Sequence, residues 1–260
     1  MMCKLNDWGY PVATIAAYHR GAMPSAVAEH RFFSVLAILM TLSIAVGFAP
    51  SYYLVIGGIV PAREPLTTLL HIHGAVFTAW MLLYLVQSIL PGIGNLRLHR
   101  QLGQVGAPLL VALVIVGTAT AFHQAALALA SHDMDGVGFF AWSFGDIVVF
   151  VPFVWLALAQ RRNPAVHKRL MALAMCGMMG PGFGRVMDLF GHSPLGLSHN
   201  LPPLLFGLAI VGWDMASRRR LLPVTAWGFG LLAASELVRE LIMALPGWPA
   251  LAGRIVSVAG

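Results

Sequence analysis

The fold is decided by residues 66–90, LTTLLHIHGAVFTAWMLLYLVQSIL, a stretch long and apolar enough to cross a bilayer. A membrane-spanning helix needs about 20 predominantly apolar residues. Stretches of similar character occur at 32–50, 104–130, 138–159, 170–190, 201–217 and 222–245. The sequence therefore predicts an all-α fold, an integral membrane helical bundle of about seven transmembrane helices.

The composition indicates the same class of protein. Hydrophobic residues make up 58% of the chain and charged residues only 10%, and the mean hydropathy of +0.79 is far above that of soluble domains. The net charge of +6 does not indicate a nucleic-acid partner, because the basic residues stand in short clusters between apolar stretches. The lipid bilayer is the expected partner.

Lysine and arginine residues are distributed unequally between the two sides of the predicted bundle. Of the 16, twelve fall before span one or in the loops that join spans two and three, four and five, and six and seven. By the positive-inside rule the N-terminus is predicted in the cytoplasm and the C-terminus outside. Residues 1–30 then form a cytoplasmic lead-in, and residues 31–260 form a single transmembrane domain.

Eight ionisable side chains lie inside or at the rim of the predicted spans. A charge near the middle of a membrane helix costs about 2.5–3.5 kcal/mol, so such groups usually pair or mark a site. They are His73, His123, Asp146, Arg185, Asp188, Glu236, Arg239 and Glu240. With the predicted orientation and a rise of about 1.5 Å per residue, nearly all fall in the outer half of the bundle. The sequence therefore predicts one outer polar site built from several spans.

His73 and His123 are the candidate ligands of a cofactor in this site. Imidazole is the commonest metal ligand, and a haem held between two helices needs one histidine from each at similar depth. His73 in span two and His123 in span three meet that condition. Adding Asp146 would give an imidazole and carboxylate centre for a transition metal. The alternative is that both histidines are hydrogen-bonded structural residues.

A stripe of side chains follows one face of span two. At steps of four and three it contains His73, Phe77, Trp80, Tyr84 and Gln87. Such a stripe could line a slot for haem or a quinone-like molecule, with Arg185 holding an anionic group such as a haem propionate. Aromatic residues at this spacing also form ordinary packing cores. Both interpretations stay open at this point.

The remaining charged residues have the spacing of ion pairs on a helix face. The pairs are Arg185 with Asp188, and Glu236 with Arg239 and Glu240. They either neutralise each other or form a site in which Arg185 binds an anion and a surplus carboxylate carries protons. The glycines and proline of residues 177–184 predict a break in span five just before Arg185, as in transporters whose broken helices build binding sites.

Two similar segments open spans three and five on the predicted cytoplasmic side. They are LHRQLG at 98–103 and VHKRLM at 166–171, and they contain His99, Arg100, His167, Lys168 and Arg169. The similarity indicates a duplicated two-span unit. We expect these residues to cap helical hairpins or to contact lipid headgroups. A second haem at His99 and His167 is the alternative, but His99 lies about 36 Å along the helix from His123, too far for a closely stacked cofactor pair.

The order of these motifs resembles a family of uncharacterised bacterial multi-pass membrane proteins, a predicted-membrane-protein domain of unknown function. The resemblance covers residues 66–190 and rests on His73-Gly74, residues 98–103, residues 167–171 and Arg185. It implies a helical core in the bacterial cytoplasmic (inner) membrane and no established activity. A more distant likeness to membrane cytochrome b-type bundles rests only on helices that bear histidines.

Three functions are compatible with these patterns. The first is a redox protein that binds haem b or a transition metal and exchanges electrons with a quinone or another membrane partner. The second is a small-molecule or proton-coupled transporter that needs no cofactor. The third is an accessory or assembly subunit whose charges only hold helices together.

Overall fold

The computed structural model describes residues 26–62, 65–189 and 201–259, with side chains described except at 188, 189, 201, 202 and 259. The described residues form α1 (Ala26–Phe48), a π-helical turn (Ala49–Tyr53), α2 (Leu54–Ile56), α3 (Thr68–Ile89), α4 (Leu96–Ala130), α5 (Met134–Gly138), α6 (Phe140–Ala159), α7 (Pro164–Gly177), α8 (Gly180–Leu189), α9 (Leu201–Arg218), α10 (Pro223–Met243) and α11 (Trp248–Ala259). The all-α prediction is confirmed. Most of the predicted lead-in lies outside the described residues, but residues 26–30 are helical and belong to α1.

Four helical stretches are long and apolar enough to cross a membrane: Ala26–Ile56, Thr68–Ile89, Leu96–Ala130 and Met134–Ala159. Two bent pairs, α7 with α8 and α10 with α11, pass the same test when each pair is taken together. Helix α9, which the sequence predicted as span six, is not among the candidates. The described part of the chain therefore holds four to six candidate spans, against about seven expected from the sequence.

The break predicted in span five lies between α7 and α8, which are bent by 43°. Helix α7 ends at Gly177 and α8 begins at Gly180, with Pro181 in its first turn, where a missing N–H leaves no hydrogen bond unmade. Behind the bend, α8 packs closely on α1: a Cβ added to Gly47 would lie 2.2 Å from the backbone oxygen of Gly182. Because of this break and this close approach, Arg185 lies near the C-terminal end of α1.

Helices α3 and α4, and helices α6 and α7, form two helical hairpins with the same cap. Oδ1 of Asn95 accepts a hydrogen bond from the N–H of Leu98 at 3.1 Å, and Oδ1 of Asn163 accepts one from Val166 at 3.4 Å. An asparagine at the N-cap satisfies an N–H of the first turn that the helix leaves unpaired. The shared cap agrees with the predicted duplication of a two-helix unit.

The main core lies where α1, α3, α4, α6, α7, α9 and α10 pack together. Trp80 and Tyr84 of α3 are 5% and 6% exposed. Nε1 of Trp80 donates to the sulfur of Met175 at 3.2 Å, and the hydroxyl of Tyr84 donates to the sulfur of Met40 at 3.9 Å. This arrangement agrees with the packing interpretation of the stripe on span two.

Helix α11 follows α10 after a bend of 96°. It packs on α4 and α5, and Nε1 of Trp248 donates to the carbonyl of Gly138 at 2.8 Å. The last span predicted from the sequence ends at residue 245, so this helix was not expected.

Candidate functional site

A buried ion pair with two carboxylates and one guanidinium links α6 to α10. We call Asp146, Glu236 and Arg239 the outer cluster. Arg239 donates through Nη1 to Asp146 and through Nη2 to Glu236, and all three residues are buried. Its guanidinium carbon lies 4.4 Å from the ring centre of Trp142. The predicted pairing of Glu236 with Arg239 is confirmed, and Asp146 is its third member.

The packing around Arg239 depends on a glycine of α6. A Cβ added to Gly145 would lie 2.6 Å from Cδ of Arg239, so the residue before Asp146 leaves room for the arginine stem. Nε of Arg239 also donates to the carbonyl of Ser235 at 3.3 Å. The guanidinium is therefore held from three sides.

The outer cluster has one more negative group than positive groups. Oε2 of Glu236 is buried and has no hydrogen-bond partner in the described part of the chain. Glu240, one turn further along α10, is partly buried and does not join the ion pair with Arg239. The side chain of Asp188, the last member of the predicted network, lies outside the described residues.

A second ion cluster lies at the other end of the bundle. The inner cluster consists of Glu29, Lys168, Arg169, Asp214 and Arg218. Glu29 accepts from Arg169 at 2.9 Å and from Arg218 at 3.0 Å, and lies 3.5 Å from Nζ of Lys168. Arg169 also donates to Asp214 at 2.5 Å, and both side chains have no exposed surface.

Asp214 has two further donors. Its Oδ2 accepts from the hydroxyl of Thr225 at 2.5 Å and from the N–H of Leu222 at 3.4 Å. Thr225, which contacts the inner cluster, lies in the first turn of α10, and Arg239 of the outer cluster lies 14 residues further along this helix. The two clusters are therefore about 21 Å apart along α10. The prediction that nearly all costly groups share one outer site is therefore wrong, because Arg169 and Asp214 are the most deeply buried charges described.

Two members of the inner cluster were missed from the sequence, and their signals were weak. Glu29 fell inside the predicted lead-in, although it is an acid one turn before an apolar stretch. Asp214 stands four residues before Arg218, and that spacing indicates only an ion pair at a helix end. Both are acidic residues on the predicted cytoplasmic side, where most of the lysines and arginines lie. That surplus of basic residues was the signal that could have indicated a buried salt bridge.

His73 and Arg185 lie near the junction of α1 and α8. The ring of His73 stacks on Phe77 with centroids 4.0 Å apart, and its Nδ1 is buried without a hydrogen-bond partner among the described residues. Arg185 donates to Oγ of Ser51 at 3.2 Å and to the carbonyl of Pro181 at 2.9 Å, and lies 4.4 Å from the ring centre of Phe48. Arg185 is therefore separate from the outer cluster.

The register of the α3–α4 hairpin indicates the relative levels of His73 and His123. A Cβ added to Gly117 of α4 would lie 3.1 Å from the ring of Phe77, which sets the register of the α3–α4 hairpin. Counting four residues each way, His73 is level with residue 121, about 3 Å from the level of His123. Nε2 of His123 is also buried and unpartnered within the described ranges. The register of the hairpin agrees with the predicted match in depth, which stays a prediction.

A metal site of three residues is not formed by these groups. Within the described residues, no three His, Cys, Asp or Glu side chains come together so that they could hold a metal ion. Asp146, proposed from the sequence as a third ligand beside His73 and His123, instead accepts from Arg239. Ligation of a cofactor by the two histidines alone stays a prediction.

The histidines of the two hairpins cap the preceding helices. Nδ1 of His99 is 3.1 Å from the carbonyl oxygen of Gln87, and Nδ1 of His167 is 2.8 Å from that of Ala157. The two rings are neighbours in an edge-to-face arrangement, with centroids 6.4 Å apart and planes at 88°. The predicted hairpin capping is confirmed. Arg100, next to His99, is exposed.

Gln87, the last member of the predicted stripe, lies beside His99 instead of lining a pocket with His73. Its Nε2 would lie 3.3 Å from a Cβ added to Gly103, and its Oε1 is buried with no partner in the described residues.

A search of protein-family models, of characterised proteins and of solved structures finds no match to this chain, so the resemblance stated from its motifs stays a prediction.

Proposed function

We propose that the protein is a proton-coupled transporter of a small molecule in the bacterial cytoplasmic (inner) membrane, with the outer cluster as its proton-binding site. The observation that carries this proposal is Oε2 of Glu236, a buried carboxylate oxygen that has no hydrogen-bond partner among the described residues and lies beside a guanidinium already bound to Asp146.

The outer cluster contains two carboxyl groups and one guanidinium, and this imbalance suits it to bind a proton. One guanidinium neutralises one carboxylate, and an uncompensated charge in a low-dielectric bundle is strongly unfavourable. A proton on Asp146 or Glu236 removes that surplus. The cluster is therefore suited to hold one exchangeable proton.

The same proton couples to the arrangement of two helices. Asp146 belongs to α6, whereas Glu236 and Arg239 belong to α10. When both carboxyl groups are ionised, Arg239 attracts both, and protonation of Asp146 weakens the link between the helices. Proton binding thus favours one helix arrangement over another, which is what a coupled carrier requires.

Glu236→Gln tests the proton site directly. In infrared difference spectra recorded across a pH titration, we expect the wild type to show the C=O stretch of a protonated carboxyl group and Glu236→Gln to lose or shift that band. Glu240→Gln is the matched control, because it makes the same chemical change one turn away on the same helix. Equal spectra for the two variants would refute the assignment.

Transport is tested in proteoliposomes that contain a pH-sensitive dye. Proton uptake is recorded while amino acids, sugars, carboxylates and amines are supplied singly outside. We expect at least one class to accelerate uptake in the wild type and in Glu240→Gln, but not in Glu236→Gln. Uptake equal to that of empty liposomes with every class would contradict transport, and copurification of a membrane complex would then support the accessory role.

A second candidate function, a haem b or transition-metal redox protein, is favoured by a different observation. Nδ1 of His73 and Nε2 of His123 are both buried and have no hydrogen-bond partner within the described ranges, and the register of the α3–α4 hairpin favours similar depths for them. Buried imidazole nitrogens are normally hydrogen-bonded or bound to a metal. His73 and His123 would hold the group, and Arg185 near the end of α1 would meet its anionic edge.

Absorption spectroscopy and metal analysis of the purified protein test this second candidate. We expect a haem band or a stoichiometric metal in the wild type, and its loss in His73→Ala. The control is His71→Ala, since His71 is exposed and lies only two residues away. Wild-type protein with neither haem absorbance nor bound metal would rule it out.

A further inference from the structure

We propose that His99 and His167 together bind a soft transition-metal ion, copper(I) in the first place, at the inner end of the bundle. The site lies on the two hairpin caps and is independent of the outer cluster and of the pair His73 and His123.

The hydrogen bonds of the two rings expose the right nitrogen for this role. A backbone carbonyl only accepts, so each Nδ1 that contacts one carries the hydrogen. In the neutral ring the lone pair is then on Nε2. A metal-binding histidine almost always donates its other N–H in this way, which fixes its orientation. His99 and His167 share this arrangement because each follows its capping asparagine by four residues.

The separation of the rings favours one geometry of coordination. With a metal–nitrogen distance of about 2.0–2.1 Å, each ring centre lies about 3.2 Å from the ion. Ligands on opposite sides then place the ring centres about 6.4 Å apart, whereas a tetrahedral zinc site needs about 5.2 Å. The observed centroid distance is 6.4 Å. Copper(I) accepts two nearly collinear ligands, so this spacing fits copper(I) better than zinc when both Nε2 atoms face an ion between the rings.

Each hairpin carries one further donor residue about one helical turn from its histidine. Met171 follows His167 by four residues and therefore lies on the same face of α7, and its thioether is of the soft type that selects copper(I). Oε1 of Gln87, which has no hydrogen-bond partner in the described part of the chain, lies on the other hairpin, where the Gln87 side chain packs against Gly103, one turn beyond His99. Each hairpin thus offers a histidine and one additional donor.

Two of the neighbouring positive charges, those of Lys168 and Arg169, are paired with carboxylates of the inner cluster. Lys168 lies 3.5 Å from a carboxylate oxygen of Glu29, and Arg169 is fully engaged by Glu29 and Asp214. Both side chains are directed into the inner cluster. A monovalent ion also adds less positive charge than a divalent one, which again favours copper(I).

Copper(I) is titrated under reducing conditions into purified full-length protein that carries no oligohistidine tag, with a chromogenic chelator as competitor. We expect one equivalent bound by the wild type and a loss of affinity of tenfold or more in His99→Ala and in His167→Ala. His132→Ala is the control, because His132 is an exposed histidine outside the site. Zinc(II) titrated in the same way should bind more weakly.

A second variant removes the ligand atom but keeps the hydrogen bond that caps the hairpin, so that loss of binding cannot be attributed to misfolding. His99→Asn keeps an N–H at the position of Nδ1, where it can donate to the carbonyl of Gln87, but removes the imidazole lone pair, so we expect it to fold like the wild type and to bind copper(I) as weakly as His99→Ala. Wild-type affinity in His99→Asn, or no binding by the wild type beyond that of a His99 and His167 double variant, would overturn the proposal. Proton uptake by the outer cluster would be unaffected by either result.

Discussion

Arg169→Met destabilises the protein by about 3–5 kcal/mol, as expected when one partner is removed from a buried salt bridge. Arg169 has no exposed side-chain surface and joins Glu29 of α1 to Asp214 of α9. Without its guanidinium, Asp214 is a buried carboxylate with only Thr225 and one backbone N–H as donors. The expected readout is a lower midpoint of unfolding in mixed micelles as the fraction of denaturing detergent rises.

Two further variants separate charge from packing at this position. Arg161→Met removes an exposed arginine outside the inner cluster and should change stability by less than about 0.5 kcal/mol. Adding Asp214→Asn to Arg169→Met removes the uncompensated negative charge of Asp214 and should restore part of the lost stability. If Arg161→Met and Arg169→Met were equally stable, the inner cluster would not hold α1, α7 and α9 together.

Gly47→Ala destabilises the protein by about 1–3 kcal/mol, the usual cost of overpacking a close contact. The added methyl group would lie 2.2 Å from the carbonyl oxygen of Gly182. Because that atom belongs to the backbone, no side-chain rotation relieves the clash, and α1 has to move away from α8. Thermal unfolding in detergent should show a clear decrease in midpoint.

The matched control is Gly212→Ala in α9. A Cβ at Gly212 meets no atom within 4 Å, and alanine favours a helix over glycine by up to about 1 kcal/mol. This variant should therefore be as stable as the wild type or slightly more stable. A Gly47→Ala protein that behaved like Gly212→Ala would show that α1 and α8 do not touch at this point.

Helix content, the break in span five and the hairpin caps could be predicted because each is a local property of the sequence. Apolar stretches of about 20 residues predict membrane helices, and the glycines before Arg185 predicted the bend between α7 and α8. His99 and His167 cap their hairpins as expected from their place after a turn. The edge-to-face contact of their rings, however, depends on how two hairpins pack.

The distribution of charge could be predicted only in part, since it depends on contacts between helices distant in sequence. Glu236 and Arg239 are three residues apart, and their pairing follows from the helix period. Asp146 reaches the same arginine from α6, and no spacing rule indicates that contact. Glu29 meets Arg169 across 140 positions, which explains why the inner cluster was not predicted.

The two ion clusters also give the bundle an electrical polarity. The inner cluster has three positive and two negative side chains, whereas the outer cluster has one positive and two negative. With the predicted orientation, the positive surplus faces the negative side of the membrane potential. A charge that crosses the whole membrane changes energy by about 2.3 kcal/mol per 100 mV. A proton that enters the outer cluster from outside moves through part of this field, so occupancy of the cluster should respond to membrane voltage as well as to pH.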